Sequence, residues 1–196
     1  AFGFNITAYK GQETGSRDCA SYLLEQGNIR FVLTTGLTKD HPAQRHVGLF
    51  GDGVKSVNFT VRDAQDAYEQ TTRRGGRSAY EPVVDKDEHG EVTRSAIYTY
   101  GEVTHAFIDR SRFKGTFLPG FMAVDPTVNR VNAEGDCGLK FVDHLVGNVE
   151  LGKMNEWVKW YEDVMGFTMF KHFDDKDIST EYSALMSKVM ASGNHL

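Results

Sequence analysis

The stretch GDGVKSVNFTVRDAQDAYEQTTRRGGRSAYEPVVDKDEHGEVTRSAIYTYGEVTHAFIDR, residues 51–110, decides the fold. Val54 to Val61 (VKSVNFTV) is rich in β-branched and aromatic residues and reads as a strand. Asp63 stands where an N-cap belongs, and Ala64, Ala67, Tyr68 and Thr71 recur at i, i+3, i+4 and i+7. That spacing predicts a helix closed by Gly75-Gly76. Three further strands follow, over Ser78–Val84, Val92–Tyr100 and Glu102–Asp109. The turn Asp87-Glu88-His89-Gly90 separates the first two of these and Gly101 the last two. Strand, helix and three strands form a βαβββ module.

The same pattern recurs on either side. Leu139 to Val149 (LKFVDHLVGNV) reads as a strand. Met154, Trp157, Val158, Tyr161, Val164 and Met165 form a helical stripe stopped by Gly166, and strands follow over Phe167–Phe173 and Glu181–Ala191. Val54-Lys55-x-Val57 is answered by Leu139-Lys140-x-Val142 85 positions later, and Gly75 by Gly166 91 positions later. The second copy therefore carries about six extra residues before its helix ends. Upstream, Asn5–Lys10, Asp18–Gln26 and Ile29–Thr35 read as the closing strands of an earlier copy. Thr38–Asp52 holds a short helix ending at Gly51 or Gly53. The expected architecture is α+β, with mixed curved sheets built from repeated βαβββ modules. Residues 1–121 form one partial and one complete module, residues 122–138 a linker, and residues 139–196 the start of a further domain. The chain opens on Ala1-Phe2-Gly3-Phe4 and closes just after a strand-like run, as a piece of a longer protein would.

Composition narrows the function classes. Among 196 residues, 27 are acidic and 22 are Lys or Arg, a formal charge of −5 that excludes a broad polybasic nucleic-acid surface. A 40% hydrophobic and 25% charged content is that of an ordinary globular chain. No apolar run approaches the roughly 18–20 residues of a membrane span, and no signal peptide opens the chain, so a cytoplasmic protein is expected. Cys19 and Cys137 form no CxxC pair, which points to neither a zinc knuckle nor a disulfide scaffold.

Two modules of this kind can close their sheets into a cup suited to a metal or small ligand. His144, in FVDHLVGN, shares a strand face with Val142 and Val146, where a neutral imidazole is a good ligand for iron, zinc or copper. The bland alternative is a core histidine bonded to backbone. At the 85-residue offset His144 falls opposite Phe59, so the earlier copy offers no ligand there. Ser187 shares a face with Leu185 and Val189, placed either to bind a substrate carbonyl or carboxylate or simply to bond neighbouring strands. His41 and His46, five apart, do not share a helix face. His105 reads as a buried strand residue, and His89 and His172 as solvated. No Ser-His-Asp or Cys-His arrangement is evident.

The segments AYKGQETGSRD, GDGVKSVNFTV, DEHGEV, IYTYGEVTHAFIDR, FLPGF, VDHLVGNVELGKMNEWVKWYEDVMGF and TEYSALMSKVMASG resemble the 4-hydroxyphenylpyruvate dioxygenase family of the vicinal oxygen chelate superfamily, along essentially the whole chain. The resemblance implies a glyoxalase-like fold of four βαβββ modules, with iron in the second domain only. It assigns His144 to the first ligand of a two-His, one-carboxylate Fe(II) site, Ser187 to the serine that contacts substrate, and Val189 to the apolar wall beside it. It implies conversion of 4-hydroxyphenylpyruvate and O2 to homogentisate and CO2 in tyrosine and phenylalanine catabolism, by a homodimer or homotetramer. The family's second His and its Glu ligand have no counterpart in these residues, so the chain alone is expected to be inactive. Alternatives are a metal-free βαβββ binding or assembly protein and the sister enzyme 4-hydroxymandelate synthase.

Overall fold

The computed structural model describes residues 2–132, 137–173 and 187–193. The module read from residues 51–110 is present. β4 (Ser56–Thr60) leads into α2 (Ala64–Arg73), then β5 (Ser78–Asp87), β6 (Gly90–Tyr98) and β7 (Thr104–Asp109). The sheet order is β4-β7-β6-β5, with β4 parallel to β7 and the other pairs antiparallel. α2 starts where expected, because Asp63 Oδ1 accepts from the backbone N–H groups of Gln65 at 2.8 Å and Asp66 at 3.0 Å. The chain leaves it through Gly75, at a φ of +101° that only glycine adopts without strain.

The earlier strands are also where the pattern puts them: β1 (Asn5–Lys10), β2 (Cys19–Gln26) and β3 (Ile29–Gly36), followed by α1 (Pro42–Phe50), which ends at Gly51. β1, β2 and β3 form an antiparallel sheet, extended beyond β1 by the two-residue β8 (Met122–Ala123), so the sheet order is β3-β2-β1-β8. Position for position β3 matches β7, but β7 is flanked by β4, whereas the outer edge of β3 has no partner among the described residues. The consequence is visible in burial. β7 is almost wholly buried, while Phe31, Val32 and Leu33 on β3 are exposed.

Later in the chain α3 (Met154–Trp160) continues into one π-helical turn, Tyr161–Met165, and Gly166 stops it in the left-handed region at φ +68°. β9 (Thr168–Phe173) and β10 (Ser187–Ala191) then pair antiparallel. Residues 181–186 of the expected last strand lie outside the described residues. The strand expected over Leu139–Val149 is not formed. A strand exists only where a ladder partner takes its backbone groups, and the described segment is instead held at isolated points against the turn between β2 and β3. The Asn28 N–H donates to the Lys140 carbonyl at 2.7 Å, and the Leu139 N–H to Gln26 Oε1 at 2.9 Å. No helix among the described residues is long and apolar enough to cross a membrane.

One core joins the second and third copies of the pattern. Ala64 on α2, Ile97 on β6, Phe107 on β7 and Val164 on the π turn are buried together, and Phe59, Val61, Ala67, Tyr68, Trp160 and Met165 pack against them. Beside this core Tyr161 presents its hydroxyl to three groups. It lies 2.8 Å from His105 Nε2 and 3.3 Å from Thr99 Oγ1, and it donates to the Tyr100 hydroxyl at 3.0 Å. Its own ionisation is pushed upward, first by burial. The Tyr100 ring in turn backs Gly147. A Cβ at that position would lie 2.4 Å from the Tyr100 side chain, so the 144–148 segment reaches this site only because residue 147 has none.

Three expectations follow from this packing. Phe107→Ala should cost about 3–5 kcal/mol in urea unfolding, against less than about 0.5 for Val84→Ala on the exposed face of β5. Gly147→Ala should cost about 1–3 kcal/mol by overpacking against Tyr100. Burial lowers the His105 pKa from 6.5 to about 4. The unfolded chain therefore binds the extra proton between those values. Stability should be full above pH 6.5, fall by roughly 2–4 kcal/mol down to about pH 4, and lose most of that slope in His105→Gln. The unfolding midpoint measured against pH checks this.

Candidate functional site

His144 sits in the irregular segment before α3, with two-thirds of its side chain exposed. Its Nδ1 lies 2.7 Å from Asp143 Oδ2. A neutral imidazole that donates Nδ1–H to a carboxylate holds its Nε2 lone pair outward, the tautomer and orientation a metal ligand requires. Around it Phe141, Val142, Leu145 and Val146 are also exposed. An apolar stretch of this kind, on backbone without a ladder, presents its side chains to solvent rather than to a closed cup.

The comparison of His144 with Phe59 changes meaning in the structure. Phe59 does not look into an open cup. It packs edge-on against His105 at 5.3 Å and Phe167 at 6.4 Å, within the core beneath α2 and the π turn. The face of β4 turned away from that core carries Ser56, Asn58 and Thr60 by alternation, and Ser56 donates to Asn58 Oδ1 at 2.6 Å. Phe59 was matched by sequence offset alone, which is blind to the face a side chain takes.

Ser187 opens β10 opposite Phe173, and Val189, two residues on, shares its face; both are half-buried. Lys188, on the opposite face, donates from Nζ to Asn155 Oδ1 at 2.6 Å and ties β10 to the start of α3. No hydrogen bond or ion pair joins His144 to Ser187 or Val189 among the described residues. The iron that the family resemblance implies needs three protein donors on one face, two imidazoles and a carboxylate. Here a single imidazole stands with its orienting carboxylate, and no group of three metal-ligating side chains among the described residues includes His144. The described residues therefore do not by themselves fit a bound iron.

Sequence reasoning missed a different constellation. Asp18, Cys19 and His41 offer a carboxylate oxygen, a sulfur and an imidazole nitrogen that all lie within 4.8 Å of one another. The pairing of Cys19 with Gly36, and the return of the chain from β3 into α1, bring together residues 22 positions apart. No local spacing could signal that.

No protein-family model matches the chain. Among curated proteins, 4-hydroxyphenylpyruvate dioxygenase from Dictyostelium discoideum is 45% identical over 195 residues, covering 97% of this chain and 52% of the relative. The enzyme of the same name from Tetrahymena thermophila is 43% identical over 194 residues (96% and 48%), and that from Yarrowia lipolytica 41% over 199 residues (98% and 50%). Among solved structures, a triple mutant of 4-hydroxymandelate synthase from Streptomyces coelicolor superposes with a TM-score of 0.78 at 18% identity, covering 98% of this chain and 53% of that one. A xylose isomerase-like TIM barrel/4-hydroxyphenylpyruvate dioxygenase fusion protein gives a TM-score of 0.60 at 17% identity, covering 97% and 26%. At such identities the structural likeness establishes the vicinal oxygen chelate fold alone. The chain spans about half the length of the curated relatives it matches. Over that span, with 41–45% identity along nearly all its own residues, the chain is similar to part of these 4-hydroxyphenylpyruvate dioxygenases.

Proposed function

We propose that this chain is part of a cytoplasmic, homo-oligomeric Fe(II)-dependent dioxygenase that converts 4-hydroxyphenylpyruvate and O2 to homogentisate and CO2 in tyrosine and phenylalanine catabolism. The observation that carries the reading is the Asp143–His144 pair, inside a match of 45% identity to a named dioxygenase. In this reading residues 1–121 form a domain whose cup holds no metal, residues 122–138 link it onward, and residues 139–196 begin the iron-binding domain. Bound with the help of ligands outside the described residues, Fe(II) would supply O2 activation for a 2-oxo acid substrate. His144 would contribute one ligand nitrogen, and Asp143 accepts the hydrogen bond from its other nitrogen and fixes the ring. Ser187 offers its hydroxyl to the substrate carboxylate or keto oxygen, and Val189 excludes water beside it. The remaining iron ligands come from outside the residues described. The curated relatives reported above, at 41–45% identity, are all named 4-hydroxyphenylpyruvate dioxygenases, which favours homogentisate over the benzylic product.

The test is substitution in the iron-loaded, active protein. Asp143→Asn should weaken iron binding about 10–100-fold while retaining some activity, and His144→Ala should lose more than that. Ser187→Ala should leave iron binding intact and raise KM roughly 10–100-fold, the loss of one hydrogen bond to a charged group. Iron titration and oxygen-uptake kinetics read these outcomes. Unchanged iron affinity in His144→Ala would sink the assignment.

A further inference from the structure

We propose that Asp18, Cys19 and His41 form a second metal site, for a thiophilic divalent cation such as Zn2+, at the α1 end of the β3-β2-β1-β8 sheet and independent of His144. The three donor atoms lie within 4.8 Å of one another. Tetrahedral zinc draws such atoms about 1 Å closer, since its ligand bonds are about 2.0–2.3 Å. The donor set, one soft sulfur, one imidazole and one carboxylate, suits zinc and excludes the hard cations that take only oxygen. Three protein donors leave a fourth position for water.

The surroundings hold the donors in place. Cys19 begins β2 and is 9% exposed, its residue held in the ladder opposite Gly36. The Leu37 N–H donates to the Asp18 carbonyl at 2.7 Å, which keeps the turn out of β3 against the start of β2. His41 approaches because residue 36 is glycine: a Cβ there would meet the His41 Cβ and the Gln44 backbone at 3.0 Å. Ser16 lies behind the donors. Its hydroxyl bonds Asp18 Oδ1 at 3.1 Å and the Cys19 carbonyl at 2.9 Å, and it touches Cys19 Sγ at 3.4 Å. Such outer contacts orient ligands in metal sites. His41 Nδ1 also accepts the Ala43 N–H at 3.1 Å as the N-cap of α1, so one face of the ring is already fixed by the helix it begins. Binding releases the Cys19 thiol proton to solvent as the metal–sulfur bond forms. If Nδ1 is the coordinating atom, the bond to Ala43 is exchanged for the metal. No oxidation or reduction is involved.

Cobalt(II) is the probe, titrated into the purified reduced protein and its His144→Ala variant and followed by absorbance. The site predicts one equivalent bound in both, with a thiolate-to-cobalt charge-transfer band, tetrahedral visible bands, and displacement of both by Zn2+. Cys19→Ser should abolish the charge-transfer band, and His41→Ala and Asp18→Asn should weaken binding by tenfold or more. Cys137→Ser, at the other cysteine, should leave the spectrum unchanged. Circular dichroism confirms that each variant is folded. Because His41 also caps α1, His41→Asn, which retains a capping side chain, separates loss of the ligand from loss of the helix start. Absence of the band in the parent protein, its survival in Cys19→Ser, or its loss in Cys137→Ser or His144→Ala would overturn the proposal.

Discussion

Burial of Val164 and Tyr161 against the sheet of the complete βαβββ module seats α3, its π turn and the described segment before them. Val164 is 2% exposed in a core it shares with Ile97 and Phe107, and the Tyr161 hydroxyl draws Thr99, Tyr100 and His105 together. A buried hydroxyl or imidazole without partners costs about 1–3 kcal/mol. These polar contacts therefore act mainly on specificity. They select the seating of the π turn in which the Tyr161 hydroxyl meets Thr99, Tyr100 and His105 Nε2, while the apolar contacts supply the driving force. The seating passes outward through Tyr100 to Gly147, and from there to His144. The candidate ligand is thus positioned by residues that never approach its ring.

The strands and helices of residues 5–110 were legible in the sequence because each carries its own signal. Asp63 caps, Gly75 turns with positive φ, and the apolar positions of α2 recur at helical spacing. These are local forces, and local residues report them. Leu139–Val149 failed for the opposite reason. Its composition is as strand-like as that of Val54–Val61, yet a strand is a relation between two segments, and only β4 has its partner, β7, among the described residues. The exposed apolar side chains of β3 tell the same story at an unpaired edge.

The candidate site was legible only where chemistry is concentrated in a few neighbouring residues. Asp143-His144 is such a case, adjacent in sequence and hydrogen-bonded in space. The face reading was not legible, because Phe59 was matched by offset, and offset ignores which side of β4 meets α2. Asp18, Cys19 and His41 were invisible as a group, since a hairpin and a loop bring them together. Composition argued against a broad polybasic surface and a long apolar span but could not distinguish an enzyme from a binding module of the same fold. Only the motif residues, and the identity to named dioxygenases, bear on that.

The central claim is that these residues carry one ligand of an iron centre whose other ligands lie outside them. The most direct measurement is iron content and homogentisate formation by the purified chain, its intact mass confirmed at 22.0 kDa, supplied with Fe2+, reductant, 4-hydroxyphenylpyruvate and O2. The account predicts no His144-dependent iron and no homogentisate. Sustained turnover by a chain of that mass would contradict it.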